Sequence, residues 1–183
     1  MATILSSVTF LEASLNELLA SVGDDSLPVG GGRGSLTSTE RQTLMTVRGM
    51  IENNRFLDRF QLVLYSLGRE PFDRGSPPYQ DADRLVKLRN LLVHAKPGWT
   101  PYPARDDSQE SLAQLAKERH FRRHPFARDR SPFFPDLLLG ADCANWARDT
   151  AFEFADDFFL RLGVKPAYRL KSRRRWGYDT SDG

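Results

Sequence analysis

With 183 residues, 40% hydrophobic and 27% charged, the chain has the size of one substantial core and ordinary globular usage, which excludes wholesale disorder. A net charge of +2 is too small to diagnose a nucleic-acid partner, although Arg greatly outnumbers Lys and the basic residues concentrate after position 118. That bias is compatible with RNA binding and equally with genomic codon usage. One cysteine, Cys143, rules out an internal disulfide and a multi-cysteine metal site. MATILSSVTF lacks a basic leader and no apolar run approaches a bilayer span, so the expectation is a cytoplasmic protein with no membrane contact.

In chain order, Ile4, Val8, Leu11, Leu15, Leu18 and Val22 alternate steps of four and three, the spacing of one buried helical face. This predicts a helix over roughly residues 3 to 22, closed by Gly23 and Asp24. Glu12 and Asn16 lie one turn apart on its border, as supporting residues of a site or as plain solvated edge groups. Residues 23 to 37 form a Gly-rich loop. Its GGGRG has no preceding strand and no Lys-Ser/Thr pair, so it reads as a flexible connection, not a phosphate loop. Thr37 or Ser38 with Glu40 marks a helix start, and Leu44, Val47, Ile51, Phe56, Phe60, Leu64 and Leu67 carry one long second helix to Gly68. Asn53, Asn54 and Arg55 interrupt its rhythm, as a kink, a polar contact or an exposed side; Asn53 is a further weak candidate for a site.

After the turn-rich REPFDRGSPPYQ, a third helix begins near Asp81 or Asp83 and runs to Pro97 and Gly98. Residues 97 to 107 are a Pro-rich loop. Leu112, Leu115 and Ala116 mark a short helix over Ser108 to Arg119. It runs into RHFRRHPFARDR, where arginines interleave with Phe121 and Phe126. That pattern suits single-stranded RNA, and also a merely solvated charge run. The clearest helix spans about residues 140 to 162: Trp146, Thr150, Phe154, Phe158 and Leu162 form an i+4 row, with Asp149, Glu153 and Asp156 on the polar side. Gly163 caps it. Residues 165 to 183 are a basic tail with too little apolar content to pack on its own. No strand pattern, repeat or zinc spacing is evident. The fold class is therefore all-α, an up-and-down bundle of four to five helices over residues 1 to 164.

The stretch DRLVKLRNLLVHAKPG, Asp83 to Gly98, carries the chemistry. Leu85, Leu88, Leu92 and Ala95 make its buried stripe. Asn90 and His94 lie one turn apart elsewhere, with Arg89 about 100° round from Asn90. Val86 and Val93 share that arc and suggest a second packed surface. His94 falls in the last turn, where the helix dipole favours a cation. Arg and His at this interval occur again in RHFRRH, from Arg119 to His124, so the interval alone decides nothing. The second copy abuts Pro125 and has no apolar stripe.

LRNLLVHAKP after an all-helical first half resembles the HEPN superfamily, whose pattern is Arg, four to six residues, His, often with Asn after Arg. FLEASLNELLA at 10 to 20 and NWARDTAFEFADDFF at 145 to 159 resemble the first and last helices of bacterial members. The resemblance covers roughly residues 3 to 22, 38 to 96 and 140 to 162. It implies a bundle that dimerises so that two motifs face each other, making a composite, metal-independent endoribonuclease site with no cofactor. Carried over, His94 is the acid/base residue, Arg89 holds the scissile phosphate and Asn90 orients the site. Lys87 and Lys96, with Arg119, Arg122 and Arg123, are the candidate RNA contacts. Lys96 stands two residues after the His, where one toxin subset has a Tyr, which removes nucleotide transfer to that residue as a means of control. The implied role is a toxin or antiviral defence effector, with a cognate antitoxin or defence partner. Two alternatives stand: a non-catalytic HEPN module binding RNA, a nucleotide or a protein, and a helical assembly subunit.

Overall fold

The computed structural model describes residues 1–23, 35–94, 107–119, 121–122 and 138–169. Among these the chain forms six α-helices and no strand: α1 (Ala2–Val22), α2 (Ser38–Glu52), α3 (Phe56–Ser66), α4 (Tyr79–His94), α5 (Asp107–Glu118) and α6 (Ala141–Leu162), followed by a 3₁₀ turn at Ala167–Arg169. The expected Gly-rich and Pro-rich loops lie almost wholly outside the described residues. So do Lys96, Arg123 and the tail beyond residue 169.

Helix α6 is the centre of the packing and touches α1, α3 and α4. Its i+4 row is buried throughout, because a full helical stripe of large side chains leaves water together. Phe60 of α3 meets Phe154 and Phe158 edge-on with ring centroids 5.0 Å apart, and Phe72 stacks on Phe154 at 4.6 Å. All six apolar residues that define the α1 stripe are buried. Helix α4 packs on α1, α6 and α5.

The expected long second helix is two helices. At Asn53 the backbone leaves helical geometry, and Arg55 enters α3 in an extended conformation. Asn54 Nδ2 donates to the Met50 carbonyl at 2.7 Å, and Arg59 Nε donates to the Asn54 carbonyl at 3.0 Å. Asn side chains of this kind compete with the helical ladder for backbone groups. α3 then folds back on α2: Arg69, just past α3, reaches Glu40 at the start of α2 with Nη2 and Oε1 2.7 Å apart. The start of α2 carries a complete capping box. Thr37 Oγ1 accepts from the Glu40 amide, and the Glu40 carboxylate accepts from the Thr37 amide. That backbone hydrogen bond, with Arg69 beside it, holds the Glu40 carboxyl below the usual range.

Both α3 and α6 end through a left-handed glycine, Gly68 at φ 64° and Gly163 at φ 77°. At α6 the Gly163 amide donates to Leu160 and the Val164 amide to Phe159, both at 3.1 Å, which answers two carbonyls left open by the helix end. A Cβ at Gly163 meets no neighbour, so Gly163→Ala isolates the backbone cost. Loss of about 1–2 kcal/mol is expected from the left-handed conformation alone, measured by urea unfolding.

The segment after Gly163 does not leave the domain at once. Tyr168 packs edge-on against Phe10 at 4.9 Å and donates its hydroxyl to Asp156 at 2.9 Å. Arg169 holds the same carboxylate, Nη2 to Oδ2 at 2.6 Å. Burial and the bond to Asp156 push the Tyr168 phenol up. The start of the expected tail packs because α1 and α6 supply the apolar surface it lacks.

Candidate functional site

Arg89, Asn90 and His94 lie on the last two turns of α4. Upstream, Leu85 and Leu88 are fully buried and fix which way the helix faces. Arg89 lies one turn beyond Leu85, at the edge of that buried face, so its stem is half-buried while its guanidinium can reach outward. It turns toward its neighbour: Arg89 Nη1 donates to Asn90 Oδ1 at 3.1 Å. Asn90 and His94 are exposed, and His94 is the last residue of the helix. Val93 between them is 50% exposed. Val86 is different: it is half-buried and packs against the core. Of the two valines expected to line a second surface, Val93 alone is open.

Arg89 makes no salt bridge among the described residues, and its partner is a neutral amide. Among the described residues its guanidinium therefore has no carboxylate partner. The other candidate RNA contacts differ. Lys87 Nζ pairs with Asp83 at 2.8 Å. Arg119 Nη2 meets Asp81 at 2.6 Å. Arg122 is held by Asp142 through Nε, Nη2 and its own backbone amide, at 3.0, 2.9 and 2.9 Å. The two arginine pairs tie chain segments together, and all three pairs cancel much of the positive field expected there.

Asp81 was readable in the sequence only as a helix-start acid. The structure buries it, 5% exposed, and gives it Arg119 and, at 3.4 Å, Arg84. Arg84 also stands 3.5 Å from Glu118, so this cluster fastens α5 to α4. No local pattern announces it, because its members are brought together by the packing of two helices.

Glu12 and Asn16 are exposed on α1, and no hydrogen bond among the described residues joins them to Arg89, Asn90 or His94. Asn53 is the exposed end of α2. Among the described residues no group of three or more His, Cys, Asp or Glu is placed to hold a metal ion, and no helix is long and apolar enough to cross a membrane. Burial pushes the Cys143 thiol up to about 11, so it is no ready nucleophile.

The hydrogen bonds of Arg122 hold the Asp142 carboxyl at about 2, below its ordinary 3.8. A depressed carboxyl pKa means the pair contributes above the ordinary value and is lost as pH falls through about 2. The Asp142 carboxyl carbon is expected to titrate in NMR near 2. A midpoint at the ordinary value means that the pair does not persist in solution.

The chain matches no protein-family model, no curated protein sequence and no solved structure.

Proposed function

We propose that this chain is a metal-independent endoribonuclease of HEPN type, an up-and-down bundle acting as a homodimer whose two α4 motifs form one composite site. The observation that carries this reading is the end of α4. An arginine with no carboxylate partner among the described residues is bonded to Asn90, with an exposed histidine on the next turn. A structural arginine in this chain generally pairs with an acid, as Arg119 and Arg122 do. An unpaired one beside a neutral amide suits a phosphate.

In the proposed reaction the RNA 2′-hydroxyl attacks the adjacent phosphorus. The imidazole of one His94 takes the hydroxyl proton, and the imidazolium of the second protomer protonates the departing 5′-oxygen. The P–O5′ bond breaks as the 2′-oxygen bond forms, leaving a 2′,3′-cyclic phosphate and a 5′-hydroxyl. Arg89 places paired donors against the oxygens as negative charge builds. Asn90 fixes the guanidinium by its hydrogen bond. Val93 gives the facing helices apolar contact that excludes water between them.

The role as toxin or antiviral effector, with an antitoxin or defence partner, rests on the family resemblance alone. Arg122 still serves RNA in this reading, since a surface ion pair is weak enough to exchange a carboxylate for a phosphate. The test is incubation of the purified protein with mixed RNA in EDTA. Fragments ending in cyclic phosphate are expected, and intact RNA at high protein concentration overturns the proposal.

A further inference from the structure

The turn between α2 and α3 carries a second group of open arginines. Most of the described arginines hold a carboxylate. Arg55 and Arg59, like Arg89, hold none among the described residues. Arg55 is exposed and Arg59 half-buried. One helical turn joins them, since the Arg59 amide donates to the Arg55 carbonyl at 3.1 Å. Arg59 Nε donates to the Asn54 carbonyl at 3.0 Å, which draws that guanidinium back toward the turn. The carbonyl end of α2 favours a cation there. Yet this one bond leaves the Nη edge of Arg59 and the whole Arg55 guanidinium without a partner among the described residues. The nearby acids are already engaged: Glu52 holds Arg48 at 2.7 Å and Asp58 holds Arg74 at 2.6 Å. Like charges one turn apart repel, and an anion between them removes that cost. α3 also begins without a side-chain cap, so its first amides add to the same positive field.

We propose that Arg55 and Arg59 grip backbone phosphates of a single-stranded RNA, away from the bond that is cut. This rests on the RNA reading above and adds where the strand is held. A guanidinium fork matches phosphate oxygens with two parallel donors. Phe56, the aromatic residue at the turn, packs edge-on against Phe60 at 5.7 Å. The turn therefore reads phosphates and not bases, and the grip is independent of sequence. Arg74 links this end of α3 to the start of α4, since it holds Asp58 and lies 5.6 Å over the Tyr79 ring. From Tyr79 to His94 the helix rises about 22 Å. The strand is thus held at a distance from the histidine.

Titration of the full chain with a 2′-O-methyl oligoribonucleotide tests this, because that strand lacks the attacking hydroxyl and stays uncut. Affinity is read by fluorescence anisotropy across a salt series. Each phosphate neutralised on a single strand contributes about 0.7 to the slope of log K against log salt. Replacing both residues, Arg55→Gln with Arg59→Gln, is expected to lower that slope by about 1.4. The fall should be equal for oligomers of different sequence, with helical content unchanged. Arg48→Gln, at an arginine already paired with Glu52, is the control and should leave the slope as it is. No binding by the wild type, a slope untouched by the double variant, or an equal fall from Arg48→Gln overturns the proposal. So does competition by free inorganic phosphate at micromolar concentration and constant ionic strength, which assigns the arginines to a small anion. A fall of the expected size with natural RNA left intact removes the nuclease reading and keeps the grip. Cleavage of natural RNA with the slope untouched does the reverse.

Discussion

His94→Ala is expected to lower RNA cleavage by about a hundred- to ten-thousand-fold, the range contributed by a positioned general acid or base. His94 ends α4 and is exposed, so the substitution removes an imidazole without opening the core, and thermal stability should stay within about 0.5 kcal/mol. Arg89→Ala is expected to lose a comparable factor. Arg89→Lys should recover little, since a point charge does not reproduce the paired donors of a guanidinium. Asn90→Ala removes the 3.1 Å bond that holds Arg89, and a smaller loss, about ten-fold, is expected from a neutral hydrogen bond of this kind. His124→Ala, in the second Arg-x4-His copy, is the control and should cleave like the wild type. Mixing wild-type chains with an excess of His94→Ala chains reads the composite site directly. Subunit exchange should lower the wild-type activity, because a hybrid dimer holds one histidine where the proposed reaction uses two, one as base and one as acid. Equal cleavage by wild type and the His94 and Arg89 variants removes the assigned site.

The largest stability effect is expected at Phe60→Ala. Phe60 is 0% exposed and touches Phe56 at 5.7 Å as well as Phe154 and Phe158 at 5.0 Å, so its loss opens a cavity where α3 meets α6. The cost is about 3–5 kcal/mol for a buried aromatic. For a chain of this size that lowers Tm by about 10 °C. Leu160→Ala, at the most exposed large hydrophobic position of α6, is the control and should change stability by less than about 0.5 kcal/mol. Similar shifts for the two variants, read by calorimetry, mean that the Phe60 cluster is not the centre of the core.

The helices that could be read closely from the sequence are those whose apolar face is continuous. α1 is observed at Ala2–Val22 against an expected 3 to 22, and α6 at Ala141–Leu162 against about 140 to 162. In each, one unbroken stripe sets the period, and a glycine follows its last residue. The α2–α3 break was hidden because apolar residues recur at helical spacing on both sides of Asn53, Asn54 and Arg55. Periodicity does not register a chain reversal that preserves the rhythm.

The residues Arg89, Asn90 and His94, their order on one helix and the leucines that orient it are set by the sequence itself, because a helix fixes the relation of positions one to four apart. What the remaining charges do was decided by tertiary structure. Arg119 and Arg122 stand in a run that reads as an RNA-binding surface, yet each finds a carboxylate far along the chain, Asp81 and Asp142. Arg89 finds none among the described residues. Charge pairing across helices depends on which faces meet, and spacing along one helix does not contain that information. Arg89 is left without a carboxylate partner among the described residues because the packing that pairs Arg119 and Arg122 happens elsewhere.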